Sequence, residues 1–403
     1  MLNTPFSPWP SFTQEEADAV SRVLLSNRVN YWTGRETRAF ETEFADWAGC
    51  EHAVALANGT LALDLALRAL DIGPGDEVIV TPRSFIASVS SVVTAGATPV
   101  FADVDRDTQN LSAETIEAVL SKATRAIVVV HLAGRPADMD PIMALAEARG
   151  LKVIEDCAQA HGAHYRGRPV GSIGHVGAWS FCQDKIMTTG GEGGMVTTRD
   201  ETLWRRMWEY KDHGKSYAAV YEREHAPGFR WLHESFGTNW RMLEMQAVIG
   251  RIQLASMPDW QAARAANAQR ILDACAALPW MRVPVLPADV THAAYRAYAF
   301  VEPDRLPALW DRDRVVEEIV AAGVPCFQGS CSEIYREAAF ADTGFRPPVP
   351  LPVARELGQT SLMFLVHPTL SEHEIERTVS AIDEVGLRVA AAHGSEAARA
   401  ANG

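Results

Sequence analysis

No apolar stretch of this chain approaches the roughly 20 residues needed to cross a bilayer, so no membrane-spanning segment is expected. The opening Met1-Leu2-Asn3-Thr4-Pro5 has neither a basic region nor an apolar core, and a secretory signal peptide is not expected. Cysteine is sparse. The six residues are scattered singly, and Cys326 and Cys331, the nearest pair, lack zinc-ribbon spacing. Reduced thiols in a cytoplasmic protein are the simplest account. Positive charge is in deficit as well: the net charge of −14 repels phosphate and argues against nucleic-acid binding, and no helix-turn-helix is legible. His161 and His164 form an HxxH pair without a third ligand, so no metal is expected. Internal repeats and low-complexity linkers are missing too. What remains is an acidic globular protein of 403 residues, large enough for one big domain and a smaller one.

Its pattern is ordered. Thr13-Gln14-Glu15-Glu16 is a capping box opening a helix to about Asn27. A second helix carries Phe40, Phe44 and Trp47 at helical spacing, which reads as core, and stops at Gly49. Apolar runs at 53–57, 77–80, 98–103, 126–131 and 152–156 predict strands. Helical patterns at 60–70, 84–95, 112–122 and 139–149 lie between them. Strand–helix alternation with continuously apolar strands predicts an α/β fold with a mainly parallel central sheet covered on both faces. Short strands at 177–181 and 194–197 follow. After Met257 the character shifts to a helix over 259–277, strands near 297–301, and helices at 313–322 and 371–385. We therefore expect a large cofactor-binding domain with an N-terminal arm over 1–257, a small α+β domain over 258–390, and a disordered tail over 391–403.

One juxtaposition carries chemistry. Lys185 stands just ahead of a glycine-rich turn, Gly190-Gly191-Glu192-Gly193-Gly194, and Asp156 ends a predicted strand 29 residues upstream. A lysine amine that condenses with an aldehyde, and a carboxylate that keeps a pyridine nitrogen protonated, are what pyridoxal 5'-phosphate chemistry requires. In parallel sheets ligands collect outside the carboxyl ends of strands, where Asp156 falls. Gly59 and Thr60, at a helix start, can cradle a phosphate with backbone N–H groups, although such a pair is commonly no more than a cap. Ser180 can add a hydroxyl. Phe85 can cover a ring face, or simply be core. Arg83, Arg241, Trp32 and Tyr31 are plausible substrate-facing residues that read equally well as structural.

These segments resemble one family. PGDEVIVTPRSF, GATPVFADVD, HLAGRPADM, VIEDCAQAHGAHYRGRPVGSIGHVGAWSF and TNWRMLEMQAVIGRIQL are similar to the DegT/DnrJ/EryC1/StrS aminotransferases, from about Trp9 to Val385. The resemblance implies a fold-type I, pyridoxal-phosphate-dependent enzyme that aminates keto groups of nucleotide-linked sugars. L-Glutamate would be the donor, by a ping-pong route. A keto-cyclitol acceptor is the closest alternative. A sugar dehydratase, in which histidine replaces the lysine, and a non-catalytic regulator are remoter. By the same resemblance Lys185 is the catalytic Schiff-base lysine, Asp156 the pyridinium partner and Gln159 the residue beside the phenolic oxygen. Ser180 with Gly59, Thr60 and Leu61 forms the phosphate site, and Phe85 is the stacked aromatic. Asn239 would reach the phosphate from a neighbouring subunit of a homodimer with shared sites. There are two departures. The glycine run is one residue longer than the usual TTGEGG, and segment 324–335 lacks the His-Tyr stretch of many sugar aminotransferases.

Overall fold

A computed structural model describes residues 5–402. Its first strand, β1 (His52–Leu56), is preceded by helices α1 (Gln14–Leu25) and α2 (Glu36–Trp47). The capping box of α1 is made: the Thr13 side chain accepts from the Glu16 N–H, and Glu16 accepts from the Thr13 N–H. The alternation then runs α3 (Gly59–Ala69), β2 (Glu77–Val80), α4 (Ala87–Thr94), β3 (Thr98–Phe101), α5 (Ala113–Glu117), β4 (Thr124–Val130), α6 (Met139–Arg149) and β5 (Lys152–Asp156). Two short strands, β6 (His164–Tyr165) and β7 (Arg168–Pro169), lead to β8 (Val176–Ser180) and β9 (Gly194–Thr198).

Seven of these strands form one sheet in the order β1-β9-β8-β5-β4-β2-β3. Only β9 runs against the others. The carboxyl ends of β1, β8, β5 and β4 therefore meet along one edge. Helix α3 crosses that sheet and packs on β8, β9 and β5. On the other face, Phe44 of α2 meets Trp179 and Phe181 edge-on at 5.2 and 5.4 Å and Phe40 meets Phe181 tilted at 5.5 Å, so the expected aromatic core is the backing of β8.

Helices α7 (Glu201–Lys211) and α8 (Tyr217–Tyr221) follow, then the long α9 (Glu244–Ala276). The boundary expected near 257 falls in the middle of α9, which passes through Pro258 without a break. A single proline removes one backbone hydrogen bond, and the packing of α1, α2 and α12 along α9 overrides that loss. A four-stranded antiparallel sheet then forms from β10 (Met281–Arg282), β12 (Ala297–Val301), β13 (Cys326–Phe327) and β14 (Ser361–Phe364), while β11 (Val290–Thr291) joins β6. Helices α10 (Arg312–Ala321), α11 (Pro352–Thr360) and α12 (Glu372–Asn402) complete the chain. The stretch expected to lack order continues α12 to Asn402, because its alanines are the strongest helix formers and need no apolar stripe to stay helical. In contrast, the helix expected over 112–122 is a single short turn. No described helix is long and apolar enough to cross a membrane.

Candidate active site

At the carboxyl edge lies a cavity of about 970 Å³. Gly59, Thr60, Leu61, Phe85, Asp156, Gln159, Ser180 and Lys185 all line it. Eight of the nine expected site residues thus come together from four separate stretches of chain. Asn239 is the exception: it is exposed on an irregular stretch beyond α8 and does not line this cavity.

Each position has a local cause. Asn58 caps α3 by accepting the Leu61 N–H at 3.0 Å, so Leu61 lines the cavity with its backbone donor already committed. Gly59 has no room for a side chain: a Cβ there would meet Ser180 Cβ at 2.4 Å, and this close approach lays the α3 N-terminus against the Ser180 hydroxyl. Asp156 is buried at the tip of β5, where its carboxylate accepts from Ser88 Oγ at 2.7 Å and the Ala158 N–H at 3.1 Å. Gln159 accepts the Ala133 N–H at 2.7 Å, which fixes its amide and leaves the NH₂ end as the available donor. Phe85 is 65 % exposed, a ring held at the cavity wall without a core of its own.

Lys185 is held by its backbone. Its N–H donates to the Cys182 carbonyl at 3.1 Å, and its own carbonyl accepts Trp9 Nε1–H at 2.7 Å. The following turn is pinned where Thr188 N–H donates to Gln253 at 2.8 Å, and Gln253 in turn donates to Glu16 at 2.8 Å. Gly190 and Gly191 both take positive φ, +87° and +122°, so the longer glycine run is accommodated by residues without a Cβ penalty. Burial works to lower the Lys185 ammonium's pKa. Tyr295, Asp184 and Asp156 outweigh it and hold the group above its ordinary value. These groups favour the charged form of the free amine.

Several lining residues escaped the sequence reading. Tyr295 presents its ring to Lys185 Nζ, 5.2 Å from the centroid, and its hydroxyl donates to Asp184. Arg296, Tyr298, Glu192 and Glu337 also line the cavity. The stretch Tyr295-Arg296-Ala297-Tyr298 sets two tyrosines and an arginine beside a strand, the one sequence signal that marks it. The four plausible substrate-facing residues take the structural alternative. Arg83 is buried, bonded to Gln109 and Ser361 at 3.0 Å, and ties the loop after β2 to the small sheet. Arg241 pairs with Asp212 at 2.7 Å. Tyr31 bonds Glu41, and Trp32 packs edge-on to Trp208.

The DegT/DnrJ/EryC1/StrS aminotransferase family model matches residues 10–383, nearly the whole chain. The chain belongs to this family. An X-ray structure of the aminotransferase from Psychrobacter cryohalolentis is 70% identical, covers 96% of this chain and 100% of its own, and superposes with a TM-score of 0.94. The dTDP-3-amino-3,4,6-trideoxy-alpha-D-glucose transaminase of Streptomyces venezuelae is 37% identical across 92% of both chains. The L-glutamine:2-deoxy-scyllo-inosose aminotransferase of Streptomyces kanamyceticus is 39% identical over 79% of this chain and 75% of its own length.

The protein is a pyridoxal-phosphate-dependent aminotransferase, and its donor set fits that cofactor. A helix N-terminus with a hydroxyl packed against it suits a dianionic phosphate. The Asp156 carboxylate suits a pyridinium, and an oriented amide N–H suits a phenolic oxygen. The one buried cluster outside the cavity that could ligate a metal, His131 with Glu155 and Cys157, is already spent among the described residues. Glu155 accepts from the Gly171, Ile173 and Gly174 N–H groups at 2.6–2.9 Å and bonds His131 at 2.9 Å. His131 Nδ1 accepts the Ala137 N–H at 3.1 Å. Of the HxxH pair, His161 is buried between Trp179 and Phe181 and His164 bonds the Gly162 carbonyl.

Proposed function

We propose that this enzyme moves an amino group from an amino acid, L-glutamate, to a keto group on a nucleotide-linked sugar in the cytoplasm, for a polysaccharide or a glycosylated metabolite. The observation that carries the acceptor is the full-length match, at 37% identity, to a transaminase of a dTDP-linked sugar. A keto-cyclitol remains the second reading, supported by a match that leaves a quarter of the cyclitol aminotransferase uncovered.

In this reading Gly59, Thr60 and Ser180 hold the phosphate, Asp156 the ring nitrogen, Gln159 the phenolic oxygen, and Phe85 a ring face. When bound, the cofactor supplies an aldehyde that carries nitrogen between the two substrates and a ring that accepts an electron pair. The chain supplies the proton movements. Lys185 Nζ would take up and release the proton that the substrate carbon gives up, with Tyr295, Asp184 and Asp156 around it favouring its protonated form. Asp156, anchored by Ser88, holds positive charge at the ring nitrogen.

We also propose a homodimer in which Asn239 completes the partner's phosphate site. Phe229, Trp231 and Phe236 are 78, 81 and 96 % exposed on the stretch that carries Asn239, an apolar display that a second copy would cover. The residues up to about 257 would serve the cofactor and the remainder would form a smaller unit, with α9 as the shared spine. The test is spectroscopic. Reconstituted protein should show a visible-to-near-ultraviolet band that shifts with L-glutamate and is restored by the matching keto-sugar nucleotide. A parent protein without any band would sink the reading.

A further inference from the structure

We infer that Arg296 receives the α-carboxylate of the amino donor, an inference that rests on the aminotransferase reading above. Lys185 and Arg296 are the only lysine and arginine lining the cavity among the described residues. Arg296 is 6 % exposed, and its one hydrogen bond runs from Nη1 to the Tyr295 carbonyl at 3.0 Å. Its guanidinium lies over the Tyr295 ring, 4.2 Å from the centroid, so that its planar fork is fixed by stacking. No described carboxylate forms an ion pair with it. Asp184 accepts from the Tyr295 hydroxyl and feels the Arg296 charge without forming an ion pair with it, and Arg264, whose charge Arg296 opposes, is another cation.

A guanidinium at a cavity wall with no direct ion pair keeps donors free toward the cavity, and an anion delivered by a ligand can fill them. Four anions come to this reaction, and the γ-carboxylate of L-glutamate is set two methylenes away from the carbon that gives up its amine. The cofactor phosphate has the α3 N-terminus and Ser180. The diphosphate of a nucleotide-linked sugar is separated from the keto carbon by the sugar itself. The donor's α-carboxylate, in contrast, is attached to the very carbon that gives up its amine. It must therefore lie beside Lys185, whose Nζ faces the same Tyr295 ring at 5.2 Å. Arg296 is the cation placed for it.

The test uses holoenzyme, Arg296→Gln and Arg296→Lys, each checked for folding by circular dichroism and thermal melting. Two measurements are made. In single turnover, the amine-forming half-reaction with L-glutamate is separated from the reverse half-reaction with the keto-sugar nucleotide. By calorimetry, the Kd of glutarate, which has carboxylates but no amine, is determined. For Arg296→Gln we expect the glutamate dependence and the glutarate Kd to weaken about 10- to 100-fold, with the acceptor half-reaction within about threefold of the parent. Arg296→Lys should recover part of the loss. Unchanged glutarate affinity overturns the assignment, as does a loss confined to the acceptor half-reaction, which would give the arginine to the diphosphate. A parent that binds glutarate through Arg296 yet responds to no amino acid counts against the donor reading and not against the arginine.

Discussion

Glu155 and Asp156 are neighbours on one strand, both buried and both hydrogen-bonded, and they do different work. Side chains alternate across a sheet, so consecutive residues must point to opposite faces. Asp156 turns to the cavity, where Ser88 and Ala158 leave its carboxylate with lone pairs to spare. Glu155 turns away and is saturated by three backbone donors and His131. Burial works to raise the Glu155 pKa, but the His131 bond and the Gly171 and Gly174 donors outweigh it and hold the carboxyl below its usual range. A carboxylate with unfilled acceptor capacity beside a cavity is available for chemistry. One whose acceptors are all satisfied is architecture.

The comparison can be broken by substitution. Lys185→Ala should abolish transamination, by more than about 10³-fold, and leave the protein colourless beside a coloured parent. Asp156→Asn should lower kcat by about 10²- to 10³-fold while shifting the denaturation midpoint little. Glu155→Gln should show the mirror image, losing about 2–4 kcal/mol in urea unfolding at near-parental turnover. If that variant lost activity without stability, the division of labour between the two carboxylates would be wrong. Aromatic residues divide similarly: Phe44→Ala should cost about 3–5 kcal/mol as a core cavity. Phe85→Ala should cost under about 1 kcal/mol and express itself in cofactor affinity, read by fluorescence titration.

The smallest expected effect is on pH dependence. With its folded pKa below the ordinary 4.5, Glu155 binds protons less readily folded than unfolded, so its contribution is complete above about pH 4.5 and is lost as pH falls through the folded value. The acid limb of the parent's stability profile should therefore be steeper than that of Glu155→Gln, and parallel limbs would refute the linkage.

Much of this was legible from the chain. The strands at 77–80 and 152–156 and the helix at 139–149 have the bounds their patterns predict, because uninterrupted apolar runs and flanking turn residues act locally. The start of α9 was hidden by Pro258, whose local penalty is offset only by helices that pack on it from elsewhere. Of the cavity-lining residues, Lys185, Asp156 and Ser180 were singled out by a glycine-rich turn, a strand end and a hydroxyl nearby, and Gln159 by the family resemblance. Tyr295 and Arg296 were not, since they lie more than a hundred residues past the lysine and the polar aromatics around them do not say which distant segment they face.

By itself, then, the amino-acid sequence determined the α/β alternation, the strand ends at which a ligand collects and the lysine–carboxylate pair that names the chemistry. Alternation also required that Glu155 and Asp156 point to opposite faces. Which face was the cavity, and which cation waited in it for a carboxylate, only the tertiary structure decided. The reason is physical: those answers depend on which distant segments bury against the sheet, and burial is a property of the packed chain as a whole.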